Sequence, residues 1–325
     1  MSKPLAIWKF INHSLQRDIA VMLLYVLESS GSSPGRQGFF MAVNANNEME
    51  GSIGGGIMEH KFVEMALAAF AKASAAEGQV KKQIHDKAAA KDQSGMICSG
   101  EQTIFLYPVQ SSDTTTIQSL IASLEKNNNG TLQLSPSGIS FQPDIPEQDF
   151  YFSLRNETDW EYKEKTGYKN QLSIIGGGHC ALALSQLAAG MDFYIKIYDD
   201  RQELNTIMKN DFVHEKILVQ DYSELANLVG SGKNHYVVIM TMGYRTDDIA
   251  VRALLGKTFT YLGLLGSRTK IQKMMDAYKK EGLNSSYLQR IHAPIGLDIK
   301  SETPEEIAVS VMGEIISVKN FRSGR

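Results

Sequence analysis

The stretch QLSIIGGGHCALALSQLAAGMDFYIKIYDDR, residues 171–201, decides the fold. An apolar run meets three glycines, then a segment of helix formers, and a second apolar run ends in an acidic pair. Strand, glycine turn, helix, strand and acid is the order that a phosphate-bearing nucleotide needs. Gly176, Gly178 and Ala181 fit G-x-G-x-x-A, and Asp199 follows Gly176 by 23 residues, close to the separation at which a carboxylate meets a ribose hydroxyl. Backbone N–H groups at the helix start, around His179, would meet a pyrophosphate, and a side chain at the glycines would obstruct that approach. A ligand-free turn that only lets strand and helix pack closely has the same sequence, and Asp199 with Asp200 also reads as a solvated turn.

Outward from this unit the alternation continues. Strands are expected at 172–176, 193–198, 216–219, 236–241 and 260–264, and helices at 179–189, 201–209, 222–229, 247–255 and 268–281, which implies a mostly parallel sheet covered on both faces. Thr303, Pro304 and Glu306 announce a last helix by a capping box with proline at its first position. Toward the amino end, residues 4–16 read as an amphipathic helix and 19–29 as an apolar strand. Residues 39–53 read as a hairpin, 58–75 as a helix, 102–107 as a strand, and TTTIQSLIASLEK at 114–126 as a helix with Gly130 as its C-terminal cap. The fold class is therefore α/β, with an N-terminal α/β domain over 1–110, an irregular linking segment over 111–168, and a C-terminal domain with a Rossmann-like, mostly parallel sheet over 169–325.

Bulk properties narrow the function. A chain of 325 residues favours two cores. Net charge is −3 and no Lys/Arg block exceeds two residues, so a nucleic-acid surface has no support. No run approaches the length of a membrane span and the amino end has no apolar signal region. The two cysteines, Cys98 and Cys180, fit a reducing compartment, and the expected location is cytoplasmic. The histidines are dispersed, His85 and Cys98 being the nearest approach to a cluster, and no zinc spacing occurs.

Several further segments carry candidate chemistry. Gly54, Gly55 and Gly56, preceded by Ser52, suggest an anion-binding nest before the 58–75 helix, although a hairpin exit reads the same way. MICSGE at 96–101 sets Cys98 ahead of a glycine turn, as a soft sulfur ligand, a persulfide carrier or a small buried side chain. Cys180 lies in the first turn of the phosphate helix, where its pKa would be lowered. TMGYRTDD at 241–248 and LGLLGSRTK at 262–270 each leave a strand at its carboxyl edge, where open sheets bind ligands. There Arg245 would pair with phosphate and Asp247 would cap a helix. Ser267 would cap the next helix, and Arg268 and Lys270 would add positive charge.

GSIGGGIME, MICSGE, IIGGGHCALAL, YDDR, LGLLGSR, IHAPIGLDI and TPEEIAVSVMGEII together resemble the XdhC/CoxI family, accessory proteins of molybdenum hydroxylases such as xanthine dehydrogenase. The resemblance runs from about residue 18 to 318 and is weak over 111–168. It implies a protein that binds and protects the molybdenum cofactor (molybdopterin), promotes its sulfuration with a cysteine desulfurase and delivers it to an apo molybdenum hydroxylase, as a homodimer. Three positions depart from the family pattern. Ile57 stands where GGGC has its cysteine, and Met242 and Tyr244 stand where T-H-x-H has its histidines. Cys98 survives as the implied contact to metal or sulfur.

On this reading Ser52 with Gly54–Gly56, and Gly176, Gly178 and His179, form backbone-lined anion sites, while Arg245, Ser267 and Arg268 face phosphate. A dinucleotide form of the cofactor would use Asp199. The alternatives are an NAD(P)-dependent oxidoreductase, for which no Ser/Tyr/Lys or His/Asp constellation marks a proton donor, and a non-catalytic nucleotide-binding scaffold or regulator.

Overall fold

A computed structural model describes residues 3–71, 78–84 and 100–322, in two compact units, residues 1–167 and 168–325. The first unit begins with α1 (Lys3–Gln16) and continues through β1 (Val21–Gly31), β2 (Phe40–Asn44), β3 (Met49–Gly51), α2 (Gly56–Ala71), β4 (Gln79–Ile84) and β5 (Gly100–Pro108). The strands pair in the order β3-β2-β1-β5-β4, antiparallel throughout. β1 reads as an uninterrupted apolar run because both of its faces are covered. Val21, Leu23, Tyr25 and Leu27 enter one core with Trp8 and Ile11 of α1, and Met22, Leu24 and Val26 enter another with Met58, Phe62 and Val63 of α2.

The 111–168 stretch, read from the sequence as one helix over 114–126 within an irregular link, is regular in the structure well beyond that helix and belongs to the first unit. It contains α3 (Thr114–Glu125), β6 (Gly130–Ser135), β7 (Gly138–Gln142), β8 (Phe150–Asn156) and β9 (Asp159–Thr166), the strands forming an antiparallel sheet in the order β7-β6-β9-β8. Only one face of this sheet is apolar. Leu132, Leu134, Trp160 and Tyr162 join the α1 core, while Gln133 and Glu161 pair on the other face through a 2.7 Å hydrogen bond. That alternation over short strands gives a polar composition that resembles loop. β4 escapes prediction for a similar reason, since QVKKQI is an edge strand with no buried residue.

The second unit holds β10 (Asn170–Ile175), α4 (His179–Ala188), β11 (Phe193–Asp199), α5 (Asn205–Met208), β12 (Glu215–Leu218), α6 (Leu225–Leu228), β13 (Gly232–Ile239), α7 (Tyr244–Leu254), β14 (Phe259–Leu264), α8 (Arg268–Lys280), α9 (Ser285–Leu288), β15 (Ile291–His292) and α10 (Pro304–Arg322). Its six strands are all parallel, in the order β12-β11-β10-β13-β14-β15. This is the Rossmann order, and it reverses direction between β10 and β13, where doubly wound sheets open a crevice beyond their carboxyl ends. α4 and α10 cover one face through Ala181, Leu184, Ala308, Val311 and Ile315. α7 and α8 cover the other through Ala250, Val251, Leu254, Ile271 and Met274. No described helix is long and apolar enough to cross a membrane.

Candidate functional site

The turn after β10 is shaped by contact with its neighbour. Gly176 has φ +103°, and a Cβ there would lie 2.4 Å from the carbonyl oxygen of Met240 at the end of β13. Only glycine lets the two strand ends approach so closely. Gly178 differs: it is the N-cap of α4, no side chain caps the helix, and nothing lies within 4 Å of the place a Cβ would occupy. The amide end of α4 is therefore open, with His179 exposed on its first turn. The same arrangement recurs across the switch point. Gly243 is the N-cap of α7, again without a side-chain cap and with nothing within 4 Å of its Cβ position. Two open helix N-termini thus flank the β10/β13 crevice, each carrying the positive end of a helix dipole. Arg245, exposed on the first turn of α7, adds a full charge.

Asp199 ends β11, the place the sequence suggests, but its carboxylate is engaged within the chain. Its side chain is 1% exposed and both carboxylate oxygens are already in use. Oδ1 accepts from the Arg201 backbone N–H at 2.9 Å and from Arg201 Nε at 2.8 Å. Oδ2 accepts from the Gly177 N–H at 2.6 Å and from Arg201 Nη2 at 2.7 Å. Burial alone would raise this carboxyl, but the Arg201 and Gly177 hydrogen bonds outweigh it and hold it below its ordinary value. Each carboxylate oxygen thus accepts two hydrogen bonds from within the chain. The neighbouring Arg201 is the residue that sequence reasoning overlooked, although it closes the YDDR segment.

At the next strand ends the charges are also spoken for. Asp247, fully buried on α7, accepts from the backbone and hydroxyl of Thr241 at 3.1 and 2.5 Å and pairs with Lys270. It ties α7 to the strand before it and to α8, and it does not cap α7. Ser267 caps α8 by accepting from the Lys270 N–H at 3.3 Å, and Arg268 makes an exposed 3.4 Å pair with Asp298. Met242 is 80% exposed, its sulfur 3.6 Å from Arg201 Nη1, and Tyr244 is also exposed. Cys180 contradicts its expected activation. It is partly buried against the α4/α10 core, and burial, with a contribution from Glu305, pushes its thiol up.

In the first unit, Gly54, Gly55 and Gly56 have φ of +129°, +76° and +70°. The loop they form is filled from within. Glu59 Oε2 accepts from the Ser52 hydroxyl at 2.7 Å and from the N–H groups of Ile53 and Gly55 at 2.9 and 3.0 Å. The nest is real as a geometry, but the anion in it is the chain's own carboxylate. Gly54 is pressed against a second loop, since its Cβ would lie 2.5 Å from Gly35 N. Gln102, buried in β5, joins these loops by donating to the carbonyls of Gly35 and Ile53 at 3.0 and 3.2 Å. Ile57 is exposed. Cys98 and His85 lie outside the described residues. Among the described residues no three His, Cys, Asp or Glu side chains converge to hold a metal ion.

Comparison with known proteins agrees with the two-unit organisation. Residues 172–315 match the XdhC Rossmann domain and residues 14–81 match the XdhC and CoxI family model. The chain is 25% identical over 305 residues to the uncharacterized protein YqeB of Escherichia coli (strain K12), covering 92% of this chain and 43% of that protein. It is 27% identical over 187 residues to a probable xanthine dehydrogenase subunit of Bacillus subtilis (strain 168), covering 54% of this chain and 53% of that protein. The chain thus spans about half the length of these curated relatives. A crystal structure described as a xanthine dehydrogenase from Bacillus halodurans superposes with a TM-score of 0.71 at 21% identity, over 99% of this chain and 97% of that one, a likeness of fold.

Proposed function

We propose that the chain, which belongs to the XdhC and CoxI family, is an accessory protein of a xanthine-dehydrogenase-type enzyme: it binds the molybdenum cofactor, protects it and delivers it to an apo molybdenum hydroxylase. Assistance in sulfuration by a cysteine desulfurase and action as a homodimer belong to the same reading. The observation that carries it is the pair of open, glycine-started helix ends of α4 and α7 at the β10/β13 switch point. A phosphate monoester suits that place: the N-termini of two helices follow adjacent strands there, Arg245 lies on the first turn of α7, and no side chain caps either helix. The amides of the first turns of α4 and α7 would hold the phosphate, and Arg245 would neutralise it. When bound, the cofactor supplies a dithiolene-held molybdenum to the client enzyme. The described residues contribute binding and orientation. Cys98 is proposed to meet the metal or its sulfur.

Asp199 weighs against the nicotinamide-dependent oxidoreductase, because its acceptor positions are filled by Gly177 and Arg201. It weighs equally against a dinucleotide form of the cofactor seated through a ribose at that strand end.

Activation of an apo molybdenum hydroxylase tests the proposal. With cofactor supplied, addition of the chain is expected to raise the rate and yield of active enzyme, and Gly178→Leu, which fills the open N-cap, is expected to lose most of that gain. Equal activation with and without the chain would overturn delivery.

A further inference from the structure

The two side-chain hydrogen-bond donors that Arg201 gives to Asp199 fall one on each carboxylate oxygen. Each carboxylate oxygen takes one backbone N–H, from Arg201 to Oδ1 and from Gly177 to Oδ2. The remaining position on each oxygen is taken by one arm of the guanidinium fork, Nε on Oδ1 and Nη2 on Oδ2. In dinucleotide-binding sheets the acidic residue at this strand end offers those positions to the ribose hydroxyls. A vicinal diol and a guanidinium edge can each present two donors to the two oxygens of one carboxylate. We propose that Arg201 is a specificity-determining residue that occupies the diol position on Asp199, so that the sheet edge rejects nucleotides presenting an unmodified ribose diol and stays available to a ligand that engages it through phosphate alone.

The balance of strengths supports rejection. The guanidinium meets the carboxylate charge to charge and bidentately, whereas a diol brings neutral donors, so exchanging one for the other loses the stronger pair. The fork is also held in place. The Arg201 backbone N–H binds the same carboxylate, and the rest of the guanidinium faces the Met242 sulfur at 3.6 Å. The Arg201 side chain is 31% exposed and Asp199 is 1% exposed, so the arginine is the group between the carboxylate and solvent. The strand, the glycine turn and the acid of a dinucleotide site are all present, and one side chain accounts for the missing recognition.

The inference rests on the reading of this edge as the ligand-binding edge, and its test is separable from the cofactor measurement. The full chain is titrated calorimetrically with NAD+, alongside Arg201→Ala, Arg201→Gln and the double variant Asp199→Asn/Arg201→Ala, with circular dichroism confirming the fold of each. The expected result is at least about tenfold tighter NAD+ binding by Arg201→Ala than by the unaltered chain, the equivalent of one net hydrogen bond to a charged group. Arg201→Gln is expected to move in the same direction and the double variant to lose the gain. Equal binding by the unaltered chain and Arg201→Ala, or no binding by either folded protein, would overturn the proposal. If NAD+ binding appears on removing Arg201 while the unaltered chain holds no pterin, the filter stands and the cofactor reading fails. If pterin is held and no variant gains NAD+, the filter alone fails.

Discussion

Lys270, in the first turn of α8, sets its ammonium against the carboxylate of Asp247, which is fully buried near the start of α7. The pair joins the loops that leave β13 and β14, with Thr241 on the other carboxylate oxygen and the Leu265 carbonyl 3.0 Å from the lysine nitrogen. A pair whose carboxylate is buried is costly to break from the lysine side, because the buried charge is left without its partner. Lys270→Ala is expected to lower unfolding free energy by about 3 kcal/mol in denaturant titration. Pairing it with Asp247→Asn should recover part of the loss. A change below about 1 kcal/mol in the single variant, the level of an exposed ion pair, would mean that the pair is effectively solvated.

The two outer glycines of the 176–178 turn should respond unequally to alanine. At Gly176 a methyl group meets the Met240 carbonyl and the backbone has positive φ, so Gly176→Ala is expected to cost about 2 kcal/mol or more. At Gly178 the space is open and φ is −71°. There alanine should cost no more than about 1 kcal/mol, the difference between an N-cap glycine and alanine. Thermal melts of the two variants check this, and similar losses at both positions would contradict the assigned geometry.

Acid stability should depend on Glu314 as well as Asp199. Burial alone would raise the Glu314 carboxyl, but hydrogen bonds with His292, Tyr261 and Gly296 outweigh it, and it lies below its ordinary value. Asp199 is lowered in the same way by Arg201 and Gly177. For a carboxyl depressed by folding, the unfolded chain takes up the proton first as pH falls. Its contribution is therefore full above the unfolded value, near 4.3 for Glu and 3.9 for Asp, and is lost as pH falls toward the native value. Denaturant midpoints measured from pH 6 to pH 3 should fall in the acid range, and Glu314→Gln should make that fall shallower. An unchanged pH profile in the variant would rule out this linkage.

Glu59 fills the loop of Gly54–Gly56, and its removal leaves the N–H groups of Ile53 and Gly55 and the Ser52 hydroxyl without that acceptor. Because the site is only partly buried, Glu59→Ala should destabilise by about 1–2 kcal/mol, and Glu59→Gln, which keeps an acceptor oxygen, by less. Equal losses would show that the helix-terminal charge matters more than the hydrogen bonds.

The C-terminal sheet was legible because its central strands are buried on both faces and are followed by turns that contain glycine, so that apolar runs and breaks in the sequence correspond to strands and strand ends. The 130–166 sheet was hidden by its own geometry, since Gln133 and Glu161 alternate with Leu132, Leu134, Trp160 and Tyr162 over short strands. The glycine positions of the candidate site could be read from spacing. What could not be read was which acceptors and donors were already satisfied. Asp199 is an apt ribose ligand by position, and only the fold of the Arg201 fork back onto it reveals the occupation. Glu59 likewise stands in the sequence as an ordinary first-turn acid, four residues after Gly55. These contacts depend on side-chain directions that periodicity does not encode.

Pterin and molybdenum content per chain, measured together on protein purified anaerobically from cells that make the cofactor, tests cofactor carriage most directly. Near-stoichiometric pterin, with or without metal, is the predicted result, and it should drop sharply in Gly178→Leu. No pterin and no molybdenum on the unaltered chain, even after reconstitution with authentic cofactor, would contradict carriage.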